Sequence, residues 1–195
     1  KPSVGRKFLL AGKGGLNLTH SEGADAFAGR YGARRAQIEA LLRRFGSTQL
    51  RAWARGLGVE TFVGSSGRVF PTEMKAAPLL RAWLHRLRGA GVQFHMRHRW
   101  LGWNATGGLR FAAPAGELAL DADAVVLALG GGSWARLGSD GAWVPLLQAR
   151  GVSVAPLLPA NCGFDVGSEQ RKGWSAKLSE HYAGQPFKLI ALRFT

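Results

Sequence analysis

Six apolar residues in a row, Ala124-Val125-Val126-Leu127-Ala128-Leu129, run straight into Gly130-Gly131-Gly132-Ser133. A strand with one solvated face alternates apolar and polar side chains. An unbroken run therefore predicts an interior strand covered on both faces, as in a mainly parallel sheet flanked by helices. In open α/β sheets ligands gather at the carboxyl ends of such strands, where glycines let a flat molecule approach the backbone. The alternative for the triple glycine is a plain exit from strand to loop. The expected fold class is α/β.

Ahead of this run the hydrophobic period is helical. Ile38, Leu41, Leu42 and Phe45 share one face of a helix over residues 34–45, and Leu50, Trp53, Ala54 and Leu57 repeat the spacing in a second, capped by Ser47 and stopped by Gly58. The two are expected to pack as a helical hairpin. Thr61-Phe62-Val63 and Arg68-Val69-Phe70 flank Gly64-Ser65-Ser66-Gly67, the composition of a β-hairpin, and Pro71 ends it. A third helix over 75–88 gathers Ala76, Leu79, Leu80, Trp83, Leu84 and Leu87 on one face, with a basic opposite face and Gly89 and Gly91 closing it.

The period then changes to strands over 92–95, 100–104, 109–112, 117–120 and 124–129. Short turns at Thr106-Gly107-Gly108 and Pro114-Ala115-Gly116 make the middle three an antiparallel meander. Gly138-Ser139-Asp140-Gly141 opens a helix with Trp143, Leu146 and Leu147 inward and Gly151 as its stop. Residues 1–151 read as one domain, and 152–195, which end in an alternating apolar run, as the beginning of a β-rich second one. With no initiating Met, both ends are expected to be cuts in a longer chain.

With 46% hydrophobic and 19% charged residues, the chain has the balance of a packed protein, not a disordered one. No apolar run approaches the ~18 residues that cross a bilayer, and Lys1-Pro2-Ser3 begins no signal core, so a cytoplasmic protein without a membrane partner is expected. Cys162 is the single cysteine, which excludes an internal disulfide. The net charge is +14, and no acidic residue falls between Glu73 and Glu117, an interval holding Lys75, Arg81, Arg86, Arg88, Arg97, Arg99 and Arg110. A positive face favours anionic partners, so weak, sequence-independent polyanion binding is expected. Codon composition is the alternative source of part of this excess.

Two stretches have the composition of a phosphate or flavin contact. In Gly5-Arg6-Lys7 and Gly12-Lys13-Gly14-Gly15-Leu16-Asn17, glycines admit close backbone approach and the cations supply charge; a glycine-rich surface turn is the bland alternative. The spacing and the Gly-Lys-Ser/Thr ending of a P-loop are missing. Asp140 is either a helix cap or a ligand contact. His95 and His98, three apart in an expected strand, point to opposite faces, so no metal site is expected. His20 is a polar loop histidine or an acid–base group, Cys162 a small packing residue, and the seven tryptophans mostly core.

In their order, four segments resemble the bacterial NAD(P)/FAD-dependent oxidoreductases known as the aminoacetone oxidase-like or BaiN-like flavoproteins. They are Gly5 through Asn17, Gly64-Ser65-Ser66-Gly67-Arg68-Val69-Phe70-Pro71, Val125 through Gly131, and Gly138-Ser139-Asp140-Gly141. The resemblance implies a Rossmann-like FAD/NAD(P)-binding domain with a parallel sheet and an antiparallel meander, truncated at its N-terminus. By the same resemblance, FAD is lined by Gly5, Arg6, Lys7, Gly12, Lys13, Gly14, Gly15 and Asn17, and by Ala128, Gly130 and Gly131. The backbone near Arg99 and Trp100 meets the adenine, and Gly138, Ser139, Asp140 and Gly141 lie toward the flavin ring. NAD(P)H is the implied reductant of a small-molecule substrate.

These residues contain no G-x-G-x-x-G turn, the family's pyrophosphate anchor. The chain by itself is therefore expected to be colourless, and unpaired sheet edges to favour self-association. The rival function is a basic nucleic-acid-binding module or an RNA-acting flavoprotein.

Overall fold

The computed structural model describes residues 2–158 and 173–182, in two compact units, Lys1–Ala155 and Pro156–Thr195. Cys162 and the alternating run at 188–195 lie outside the described residues. The described part of the second unit holds one helix, Ala176–Tyr182.

The first unit opens with α1 (Arg6–Ala11), followed by β1 (Thr19–His20), α2 (Ala24–Gly29), α3 (Arg35–Arg44) and α4 (Ser47–Arg55). The hairpin β2 (Thr61–Val63) and β3 (Arg68–Pro71) leads into α5 (Ala76–Gly89). Helix starts and stops follow local chemistry. Gly58, Gly91 and Gly151 each take a positive φ, and the next residue's N–H bonds back to Ala54, Leu87 and Leu147 respectively at 3.0–3.1 Å, the closing pattern that needs glycine past the last turn. The cap of α4 is Gly46 and not Ser47: the Gly46 N–H donates to Gln49 Oε1 at 3.1 Å, which leaves the Ser47 hydroxyl to pair with Thr19 Oγ1 at 2.7 Å.

The core lies where α1, α4 and α5 meet. Leu16, Ala54, Ala76 and Leu79 are buried there, and Phe8, Leu18, Trp53, Leu57 and Val59 pack around them. Trp53 and Trp83 meet edge to face, with centroids 5.2 Å apart. The expected hairpin of α3 and α4 is replaced by two other packings: α3 takes α2 as its main helical neighbour, joined to it by the Arg35–Asp25 ion pair, and α4 packs on β1 and β2.

Both sheets are antiparallel and three-stranded. The first has the order β1-β3-β2, and the second is a meander of β4 (Arg99–Trp103), β5 (Leu109–Ala113) and β6 (Gly116–Leu120). The register on β5 slips by one between Trp100 and Gly102, so Leu101 is a bulge residue. Rings of Trp100 and Trp103 consequently sit together, edge to face at 4.8 Å.

The expected parallel sheet is not present among the described residues. Residues 124–129 form no strand, and Val125, Val126 and Leu127 are 46%, 90% and 41% exposed. A run apolar on both faces becomes an interior strand only with neighbours at both edges, and no described strand pairs with it. Residues 92–95 are not a strand either. They follow the closing turn of α5 and run into a bend at Arg97, whose φ is 59°, before β4 begins. Among the described residues no helix is long and apolar enough to cross a membrane.

Candidate functional site

Two glycines that read as ligand contacts serve helix packing. A Cβ on Gly12 would lie 2.5 Å from the Ala76 Cβ, and one on Gly5, at φ 72°, would lie 2.5 Å from Leu80 Cδ2. They let α1 settle directly on α5. The first stretch is thus a helix with a turn behind it, not one continuous loop. Arg6, Lys13, Gly14 and Asn17 are exposed, while Gly15 packs toward Met74.

Lys7 is the member of that stretch that reaches across the fold. Its Nζ donates to Ser133 Oγ at 2.8 Å and lies 3.4 Å from Ser139 Oγ, while the buried Ser139 hydroxyl donates to the Gly131 carbonyl at 2.8 Å. Among the described residues no carboxylate lies within ion-pair distance of Lys7. A helix at the start of the chain, the triple glycine and the Gly138–Gly141 segment therefore converge on one ammonium group.

Beside this junction lies a cleft of about 540 Å³, lined by His98, Arg99, Trp100, Leu101, Leu129, Gly138, Asp140, Ala142, Trp143 and Leu146. Its volume is in the range of small-ligand sites, about 300–1,000 Å³. One wall is β4, and the other is the loop leading into α6 (Val144–Gln148). The indole N–H groups of Trp100 and Trp143 are buried without a hydrogen-bond partner among the described residues. A smaller neighbouring cleft, of about 350 Å³, is lined by Ala128 and Gly130 together with Leu127, Leu129, Trp143 and Leu147.

Arg99, Trp100, Gly138 and Asp140 are thus brought together, Lys7, Gly131 and Ser139 form the adjoining junction, and Ala128 and Gly130 flank it. Gly138–Gly141 does not open a helix: α6 starts at Val144, and Asp140 Oδ1 accepts from the Ala142 N–H at 3.1 Å, capping a turn. Gly138 and Gly141, at φ 75° and 70°, supply the bends of that turn. The tryptophans are less buried than expected, since Trp100 and Trp143 wall the cleft and Trp134 and Trp174 are exposed.

The histidines also differ from expectation. His95 and His98 do not face opposite ways: the bend at Arg97 brings their rings edge to face at 5.4 Å. His20 is occupied structurally. Its Nδ1 accepts from the Glu22 N–H at 3.2 Å and its Nε2 donates to the Ser66 carbonyl at 3.0 Å, tying β1 to the hairpin turn. His98, Trp143 and Leu146 were missed as cleft residues. The inward helical face of Trp143 and Leu146 was the available signal.

Glycine turns converging on an aromatic-walled cleft in a mixed α/β chain are features of dinucleotide-binding proteins. A family model described as the HI0933-like protein Rossmann domain matches residues 1–181, and the chain belongs to that family, the BaiN-like flavoproteins. It is 31% identical over 162 residues to the 3-dehydro-bile acid delta(4,6)-reductase of Clostridium scindens. The alignment takes in 82% of this chain and 38% of that protein, so the chain spans well under half of its relative's length.

Proposed function

We propose that this chain is part of a flavin-dependent oxidoreductase and that its aromatic cleft contributes the seat for the adenine end of FAD. One observation carries the reading: Arg99 and Trp100 on β4 line a single cleft with Gly138 and Asp140, so these two are assigned here to the adenine end and not, as the resemblance implied, to the flavin ring. Trp100, Trp143, Leu129 and Leu146 offer apolar walls to a flat ring. Lys7, which has no carboxylate partner among the described residues, suits the anionic part of the same molecule. Gly130, Gly131 and Ser139 belong with it.

When bound, the flavin supplies the hydride chemistry, with NAD(P)H as reductant, while the protein binds, orients and shields it. The reductase name of the Clostridium scindens relative agrees with reduction of a small molecule. Titrating the chain with FAD and following tryptophan fluorescence tests the seat. Saturable quenching that weakens about tenfold in Trp100→Ala, the loss of one good aromatic contact, is expected. Absence of quenching at millimolar FAD would overturn it.

A second reading rests on α5. Arg81, His85 and Arg88 are exposed at helical spacing, and none of them is in an ion pair among the described residues. This stripe suits weak binding to polyanions, with affinity falling steeply as salt rises. Nanomolar, sequence-selective RNA binding that survives physiological salt would reverse the order of the two readings.

A further inference from the structure

The ring of His98 is fixed by its neighbours. Its Nδ1 lies 2.7 Å from the Met96 carbonyl oxygen, and a carbonyl only accepts, so Nδ1 carries the proton. The left-handed backbone at Arg97 turns the chain so that this contact closes over two residues, and the edge of His95 packs against the same ring. In the neutral imidazole the other nitrogen, Nε2, is then a pure acceptor. It has no partner among the described residues, and His98 lines the cleft with Arg99 and Trp100.

We infer that His98 is a specificity-determining residue of the cleft, its Nε2 accepting a hydrogen bond from the 6-amino group of a bound adenine. This rests on the adenine seat proposed above. A base with a 6-amino group offers a donor to that acceptor, whereas a purine with no group at position 6 leaves Nε2 facing nothing. A neutral hydrogen bond of this kind corresponds to about a 3- to 10-fold difference in affinity.

The experiment uses the 195-residue chain at pH 8, titrated with AMP and with purine riboside 5′-monophosphate, which differs by the missing 6-amino group; tryptophan fluorescence is the readout. AMP is expected to bind about 3- to 10-fold more tightly. His98→Ala is expected to erase that preference, and His98→Gln, which keeps a carbonyl acceptor, to retain part of it. Nitrogen-15 NMR on the unmutated chain gives a reading independent of any variant's folding: AMP, but not the analogue, is expected to move the His98 Nε2 resonance while Nδ1 stays protonated. If both nucleotides bind equally, or AMP binds without moving Nε2, the role of His98 is overturned and the adenine seat stands. If neither nucleotide binds, both are overturned.

Discussion

The Lys7 ammonium donates to the Ser133 hydroxyl over 2.8 Å, joining positions 126 residues apart in sequence. α1 is thereby fastened to the loop behind the triple glycine. Replacing Lys7 with Met keeps most of the apolar stem and deletes both contacts to serine. Because the group is only partly buried, the expected loss is about 1 kcal/mol in urea denaturation. Faster amide exchange should be confined to residues 130–139, and loss of exchange protection throughout α5 would contradict a local tether.

Gly12 faces Ala76 where α1 crosses α5, with no room for a second methyl group. Gly12→Ala is expected to cost about 1–3 kcal/mol through overpacking. Adding Ala76→Gly should recover part of this despite the helix penalty of glycine, about 0.5–1 kcal/mol. A double-mutant cycle by chemical denaturation measures the coupling, and additive losses would show that the two positions do not clash.

Across β5 and β6, Arg110 Nε donates to Glu117 Oε1 at 2.6 Å. That hydrogen bond, aided by the guanidinium charge, holds the Glu117 carboxyl below its ordinary range. A carboxyl depressed in the folded state adds stability above its unfolded pKa, and this is lost as pH falls through the depressed value. Both groups are solvated, so salt should weaken the effect. NMR titration is expected to show Glu117 protonating at lower pH than an unpaired glutamate, with Arg110→Gln moving it upward.

Val126 is 90% exposed within a run of apolar residues that no described strand pairs. Such a segment favours association between copies, opposed by the net charge of +14. Sedimentation is expected to show self-association that increases with salt, as screening removes the repulsion, and that Val126→Lys suppresses. A monomer at every salt concentration would count against it.

Periodicity revealed the helices because it reports which face of an element is buried, and the amphipathic face of α5 was legible from Ala76, Leu79 and Leu80. Turn chemistry revealed the hairpin and the meander for a similar reason: glycines at Gly67, Gly107 and Gly116 adopt the positive φ that short connections need. Periodicity does not say what covers a face. Residues 124–129 carry the pattern of a doubly covered strand, yet their state depends on neighbours that the pattern cannot name. The site was legible in part for the same reason. Arg99 and Trp100 came from resemblance, and Gly138 and Asp140 from turn composition as well, whereas the reach of Lys7 to Ser133 and the locked ring of His98 depend on the path of the backbone.

The bulge at Leu101 gives β4 an unusual tolerance. In a regular strand each inserted or deleted residue inverts the facing of everything beyond it. Here Trp100 and Trp103 already share a face with one residue in excess, so removing Leu101 restores strict alternation and leaves both indoles on the same side. Length variation at this one position therefore preserves the facing of both indoles, and what the cleft loses is the Leu101 side chain that also lines it. The same deletion at Trp100 would remove an indole from the cleft, and at Trp103 the ring that packs against it.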